Sequence, residues 1–212
     1  FVPPSGTTEQ RGRGRGLFGG GDPGNVNTIN YITIASMGNA FDFGDLSESR
    51  LGAGSAASTT RAVFAGGYGG GNKDTIDFVT VATTGNAVSF GELFGADRHE
   101  IAGASSSTRA LFAGGSKSAS PNHSDEIDYV TIASLGDAQD FGNLTVARRN
   151  VTGFMSPTRA VFCGGRTNTP SPSTQQEEMD YVTIATTGNA LDFGDLTVAR
   201  GRMGSVCSST RG

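Results

Sequence analysis

Tryptophan is absent from the 212 residues, histidine and cysteine occur twice each, and apolar residues never form a long run. Each shortage excludes something. No run nears the ~18 residues of a membrane-spanning helix, so no membrane is expected among the partners. Two cysteines make no disulfide framework, and Cys163 and Cys207 both read as small core side chains. His99 and His123 stand apart in the chain, so the clustered imidazole and tyrosine ligands of a copper site are missing. His123, Asp125 and Glu126 could touch a metal ion from a loop, but a lone His in a polar loop is ordinarily just solvated, and no metal is expected. HExxH, Walker A, GxSxG and sialidase-type Asp-box patterns are missing too, and the Gly-rich run at 66–71 lacks the helix that phosphate binding requires. With no nucleophile–base constellation, neither enzymatic activity nor a cofactor is expected.

Positive charge is also scarce. The net charge of −4 argues against a general polyanion-binding surface. The local exception is Arg11, Arg13 and Arg15 alternating with glycine, which looks like an RGG-type segment. Arg15 belongs to a repeat register described below, so only two extra arginines remain in a solvated arm, and nucleic acid is not expected as a partner. The chain begins at Phe1 and not at Met, which reads as processing or trimming, and no signal peptide is visible.

What is present is glycine, 33 residues of it, and a phrase said four times. Glycine at this level with few Leu, Ile, Val and Phe fits a disordered tract, but here the apolar residues return at fixed register. The Gly-Gly pairs Gly20-Gly21, Gly66-Gly67, Gly114-Gly115 and Gly164-Gly165 stand 46, 48 and 50 residues apart. That period suits a four-stranded propeller blade and lies outside ankyrin, TPR and leucine-rich repeats. A repeat cannot bury its apolar face alone, so the array must fold as one unit.

Two arginines frame each unit. Arg50, Arg98, Arg148 and Arg200 are each followed 11 residues later by Arg61, Arg109, Arg159 and Arg211, and Arg15 opens the first unit in the second register. Between them lies a small-residue segment, such as 51–57 or 101–105, expected to be the innermost strand. The second Arg opens an apolar strand, 62–65 or 160–163, which the Gly-Gly pair ends. A third strand, 76–82 or 179–185, is rich in β-branched and aromatic residues and apolar on both faces, as a strand sandwiched between blades should be. Gly38-Asn39, Gly85-Asn86, Gly136-Asp137 and Gly188-Asn189 are expected to reverse the chain. An outer strand then carries Phe43, Phe90, Phe141 and Phe193, each followed by glycine. Helical periodicity is absent.

The expected fold is therefore all-β: a small propeller of four blades, each of four antiparallel strands. Residues 1–14 form an extended arm, the repeats run roughly 15–50, 51–98, 99–148 and 149–200, and residues 201–212 supply a closing strand. Blade one starts at its second strand, so residues 202–207 are expected to pair beside Leu17 and Phe18; the rival arrangement hands that strand to a neighbouring chain, head to tail.

The apolar-Gly-Gly doublet, the aromatic that follows it and the "L–AR" ending resemble the kelch family, over Arg15 to Gly212. Phenylalanines 43, 90, 141 and 193 replace the kelch-type Trp. More narrowly, the wording "STRAVFAGG…IDYVTIATTGNA–DFGDLTVAR" looks like Gly-rich propeller repeats of marine bacteriophage virion proteins, as does the lead-in at residues 2–7. The kelch resemblance implies the fold. The phage resemblance implies a virion setting, as a non-enzymatic structural or adhesion subunit (appendage, fibre or decoration) that meets other virion proteins, copies of itself, or a host receptor or glycan. The alternative is a secreted or surface-displayed carbohydrate-binding propeller of cellular origin.

Residues that would carry such roles fall in three groups. The arginine series could ring an anionic ligand; standing at strand boundaries, they are expected instead to bond loop carbonyls or the repeated acidic positions Asp45, Glu92 and Asp195, a series that Asn143 interrupts. The loop from the second Gly of the pair to the third-strand aromatic spans 10, 11, 14 and 16 residues in the successive units, while spacing elsewhere holds to within one. Insertions confined to one loop decorate one side of an array. The candidate contacts are Arg166, Thr167, Asn168, Gln175, Gln176 and Glu177 in the longest loop, His123, Asp125 and Glu126 in its neighbour, and Tyr68 and Lys73 in the second unit. The third group is the arm, where Phe1 and Val2 anchor it on a partner subunit or fray with the terminus.

Overall fold

The computed structural model describes residues 14–118, 122–168 and 174–205. The arm with Phe1 and Val2, and Cys207 and Arg211 near the end, lie outside the described residues. The chain is all-β, with antiparallel sheets of two to four strands.

The first unit holds β1 (Arg15–Gly21), β2 (Val26–Thr33) and β3 (Phe41–Asp45) in that order. The second holds β4 (Gly54–Ala57), β5 (Arg61–Ala65), β6 (Thr75–Thr80) and β7 (Val88–Glu92) as a four-stranded meander. The third begins with the short β8 (Arg98–His99) and continues through β9 (Ala102–Ser105), β10 (Arg109–Ala113), β11 (Ser116–Lys117), β12 (Glu126–Thr131) and β13 (Gln139–Asn143). Its main sheet runs β9-β10-β12-β13, while β8 and β11 pair separately. The fourth contains β14 (Thr152–Met155), β15 (Arg159–Cys163), β16 (Arg166–Thr167), β17 (Thr174–Gln175), β18 (Glu178–Thr183) and β19 (Leu191–Asp195). There β14-β15-β18-β19 make the main sheet and β16-β17 a side ladder.

Strand alternation places the core between sheets and not within one. On β5, Ala62 and Phe64 join Val79 and Val81 against Ile29, Phe43 and Leu46 of the first unit. Val63 and Ala65 project the other way, with Ile76, Phe90 and Leu93, against Ala110, Phe112 and Ile132 of the third. The third and fourth units repeat this through Phe141 and Leu144 against Phe162 and Ile184. Each sheet thus has a forward and a backward apolar face.

Glycine is needed where the doublet meets the link into the following unit. Gly66, at φ +63°, approaches so closely that a Cβ would lie 2.5 Å from the Arg98 carbonyl oxygen, and Gly114 stands likewise 2.5 Å from that of Arg148.

One expectation is corrected. The Gly-Asn pairs do not turn the chain. The reversals come a few residues earlier, where the Thr83 amide bonds the Thr80 carbonyl and Ser134 that of Thr131. The Gly-Asn segments instead lie against the outer strand of the preceding unit: Gly85 and Ala87 donate to Phe43 and Asp45 carbonyls at 2.7 Å, and Asn86 Oδ1 accepts from the Asp45 amide at 3.1 Å. A neighbouring sheet's free carbonyls outcompete local turn geometry. Of the closing strand, residues 206–212 lie outside the described residues, and residues 201–205 form no ladder with β1. They stack on the fourth unit, the Arg202 amide bonding the Asn150 carbonyl at 3.1 Å as Asn150 bonds Glu100 and Glu100 bonds Gly52.

Candidate binding surface and its supporting arginines

The first arginine series is fully buried at Arg50, Arg98 and Arg148. Each guanidinium crosses into the next unit. Arg50 donates to Asp77 Oδ2 at 2.7 Å and to the Phe64 and Thr75 carbonyls. Arg148 donates to Asp180 Oδ2 at 2.8 Å and to the Glu178 and Phe162 carbonyls. Arg98 holds Asp128 with the Gly114 and Glu126 carbonyls. The carboxylates also accept from the link before the arginine, as Asp77 does from Ser47 and Asp180 from Thr145. Among the described residues, Asp45, Glu92 and Asp195 make no ion pair with an arginine; the partners are Asp77, Asp128 and Asp180, which sit midway along the third strand. An Asp recurring inside an otherwise apolar strand was the signal for them.

Burial lowers the Arg50 and Arg148 pKa values, and Asp77 and Asp180 oppose that, so each guanidinium stays charged. These pairs are not fully satisfied: Arg50 Nε and Asp77 Oδ1 have no protein partner. Their net worth is therefore in register more than stability, while removing one partner strands a buried charge.

The second series ties units from outside the core. Arg15, Arg61 and Arg109 donate to the carbonyls of Val81, Ile132 and Ile184 in the following unit, at 2.8, 2.9 and 2.7 Å. Each lies over its own unit's aromatic, with Arg15 4.6 Å from the Tyr31 ring and Arg159 4.8 Å from that of Tyr181. Arg200 is exposed, and among the described residues its guanidinium bonds only the Val198 carbonyl. Among the described residues no arginine ring for an anion results, because the guanidinia are distributed along the array, one of each series per junction, and bonded there.

The loops come together along the links that follow the first series. Tyr68 bridges Leu51 and Asn72 in short ladders and lies 5.5 Å from the His99 ring. Asn72 donates to the Ser116 carbonyl at 3.0 Å, joining the second loop to the third. Ser116 faces His99 on one side and His123 on the other, and His123 is buried with Nε2 unpartnered. Arg149, paired to Glu100 at 3.0 Å, borders these histidines and bridges to Arg166. Burial holds both imidazoles below their usual pKa, helped by Arg149 and opposed by Glu100.

The remaining candidates divide into spent and exposed. Lys73 is paired to Glu48, and Glu126 to Lys117 at 2.8 Å. Asp125 contributes its carbonyl to the Leu144 amide. Thr167 is buried beside Gln176, whose backbone bonds Gly165 and Arg200. Asn168, Gln175 and Glu177 are exposed, and Tyr68 is partly so. Sequence reasoning missed Glu100 and Arg149. Cys163 is core, its thiol pushed up to about 11 by burial, and no group of three metal-ligating side chains occurs among the described residues.

A cleft of about 440 Å³ runs beside β1, lined by Leu17, Ala56, Phe64, Met155 and Ser205 among others. Among the described residues the first unit has no counterpart of the β4 strand that pairs with β5 in the second. No protein-family model matches this chain, and no curated protein shows a significant match to it.

Proposed function

We propose that the four units are blades of a small kelch-like β-propeller whose first sheet is completed by a C-terminal strand, and that the chain is a non-enzymatic structural or adhesion subunit of a phage virion. The observation that carries this is the division of labour between arginines and loops. Charged groups in the Arg50, Arg98 and Arg148 junctions are consumed in holding one sheet on the next. Sequence change is left to loops that gather beside those junctions, with Asn168, Gln175, Glu177 and Tyr68 exposed there. A rigid repetitive scaffold with one variable side suits protein–protein or receptor contact. The virion setting rests on the repeat wording and the lead-in at residues 2–7.

The test is particle composition. Mass spectrometry and labelled electron microscopy of purified source particles should find the chain at fixed copy number. Its absence from particles would remove the virion assignment. A second reading, a secreted or surface carbohydrate-binding propeller, is favoured by Tyr68, whose ring stands partly open beside His99 and suits stacking on a sugar. Glycan-array binding that Tyr68→Ala abolishes would select it.

A further inference from the structure

The residues after the glycine doublets and the links they meet form three adjoining rows, one in each of the second, third and fourth units. Tyr68 bridges Leu51 and Asn72, Ser116 pairs with His99 and His123, and Arg166 pairs with Arg149 and Gln175. Directly paired residues point to the same face of a ladder, so each row presents its side chains together. The rows also touch one another. The Tyr68 ring lies 5.5 Å from that of His99, and Asn72 donates to the Ser116 carbonyl. The Arg149 charge in turn reaches both imidazoles of the third row.

Positive charge is in excess here. Glu100, beside the rows, pairs with Arg149 at 3.0 Å and with Arg202 at 3.5 Å. Among the described residues Arg166 pairs with no acid, so three guanidinia face one carboxylate in a chain whose net charge is −4. The polar atoms left over are of one kind. Among the described residues, every buried side-chain oxygen without a protein partner lies at an arginine lock, on Asp77, Asp128 or Glu178. Outside the locks the unpartnered buried atoms are all nitrogens and all fall in this patch: His99 Nδ1, His123 Nε2, Arg149 Nε, Asn150 Nδ2 and Arg166 Nε. The guanidinium and amide nitrogens can only donate, and Asn150 Oδ1 already accepts from Arg202 at 2.8 Å. Tyr68 remains 40% exposed beside them, and Arg149 is partly open.

We propose that this patch binds an acidic oligosaccharide, with one sugar ring on Tyr68 and a carboxylate of a uronic-acid unit on Arg166 and Arg149. The inference rests on the reading that the loop side makes the chain's contacts, and names the ligand. A guanidinium fork matches a carboxylate, an open tyrosine ring takes the apolar face of a sugar, and surplus donors suit a ligand rich in oxygen acceptors. Tyr68 and Arg166 belong to the second and fourth units, so the ligand extends across the third. An acidic peptide would find little apolar surface in these rows beyond Tyr68 and Leu51. A nucleic acid needs a run of free cations along its backbone, and Arg166 supplies one.

The test is isothermal titration calorimetry of the full chain with oligogalacturonate and oligomannuronate, each set beside the same oligosaccharide with its carboxyls reduced to alcohols. At low salt an acidic form should bind about tenfold more tightly than its reduced form, and added salt should narrow the margin. Arg166→Gln should abolish the margin, and Tyr68→Ala should weaken both forms alike. Both variants should keep the wild-type urea midpoint, because neither side chain belongs to a core cluster. Arg159→Gln removes the same charge at the far end of β15 from the doublet and should keep the margin. If Arg166→Gln does not fold, the acidic and reduced forms on wild type decide alone. Equal affinity for the two forms, or no binding of either uronate, overturns the proposal. So does tighter binding of poly-glutamate or single-stranded DNA than of both uronates. Equal binding that still requires Tyr68 would keep this side as a contact surface while removing the acidic ligand. The virion assignment is decided separately, by particle composition.

Discussion

The junctions and the loops sit side by side and follow opposite rules. At each interior junction the same groups recur: a buried arginine on an aspartate, 2.7 Å at Arg50 and 2.8 Å at Arg148, and a Gly-Asn or Gly-Asp segment on the preceding outer strand. The loops share the contacts at their two ends: the residue after the doublet meets the link, as Tyr68 meets Leu51 and Arg166 meets Arg149, and the Lys73, Ser124 and Gln176 amides bond the carbonyls of Gly67, Gly115 and Gly165. Between those ends the second loop closes on Asn72, the third on His123, and the fourth on the β16-β17 ladder. Constancy sits where two sheets must mate, and variation where one chain faces outward.

Breaking a junction is the harshest test. Arg98→Ala leaves Asp128 buried without its cation and should cost about 3–5 kcal/mol, read from urea unfolding of the whole chain. Arg200→Ala removes the same residue type from an exposed position and should stay within about 0.5 kcal/mol. Equal losses at the two sites would mean that the aspartate lock does not hold the units together. Gly66→Ala is next. It forces a Cβ to 2.5 Å from the Arg98 carbonyl at φ +63°, adding about 1–3 kcal/mol of overpacking to about 1–2 kcal/mol of left-handed strain. Gly70→Ala, at φ +77° with open space around it, should show the strain alone.

Much of this division was legible from spacing, and the misreadings are instructive. The four-stranded unit follows from short, continuous apolar runs punctuated by glycine doublets, because both faces of strands such as Arg61–Ala65 must be covered. The Gly-Asn pairs misled because turn chemistry is a local signal, and the Phe43 and Asp45 carbonyls that claim them belong to another unit. Asp77, Asp128 and Asp180 were hidden in strands read as apolar on both faces, and Asp45, nearer a strand end, drew the arginine pairing instead. The His99–Ser116–His123 arrangement needs a two-residue ladder and a single bridge, too short for any periodicity to encode. Loop length marked where the candidate surface lies; which side chains are spent there, such as Lys73 and Glu126, required the fold.

Loop replacement sharpens the contrast from the other side. Exchanging residues 168–175 for a short Gly-Ser link, while keeping Gln176 for its bonds to Gly165 and Arg200, should change unfolding by less than about 1 kcal/mol. Partner or receptor binding should weaken. Unchanged binding would move the contact to another part of the surface, and a large stability loss would show the loop to be part of the scaffold.

The smallest expected effect is a pH response confined to the third loop. His99 and His123 face Ser116 from both sides, and burial lowers both pKa values from the usual 6.5, with Arg149 lowering and Glu100 raising them. A lowered folded-state pKa means that the unfolded chain takes up protons first. The stabilisation is therefore complete above about 6.5, where the unfolded histidines are neutral, and is lost as pH falls through the lowered folded values. Amide exchange, corrected for its intrinsic pH dependence, should accelerate below pH ~6 at residues 115–118 and 122–124. The junction strand Arg109–Ala113 should hold, because burial raises the neighbouring Asp128 to about 6, so the folded chain takes up that proton before the unfolded one and mild acid does not weaken the junction. His123→Gln should remove part of the response without moving the unfolding midpoint at neutral pH by more than about 1 kcal/mol. Acceleration spread evenly over both regions would show that loop and junction open together, and that the contrast between them is one of sequence only.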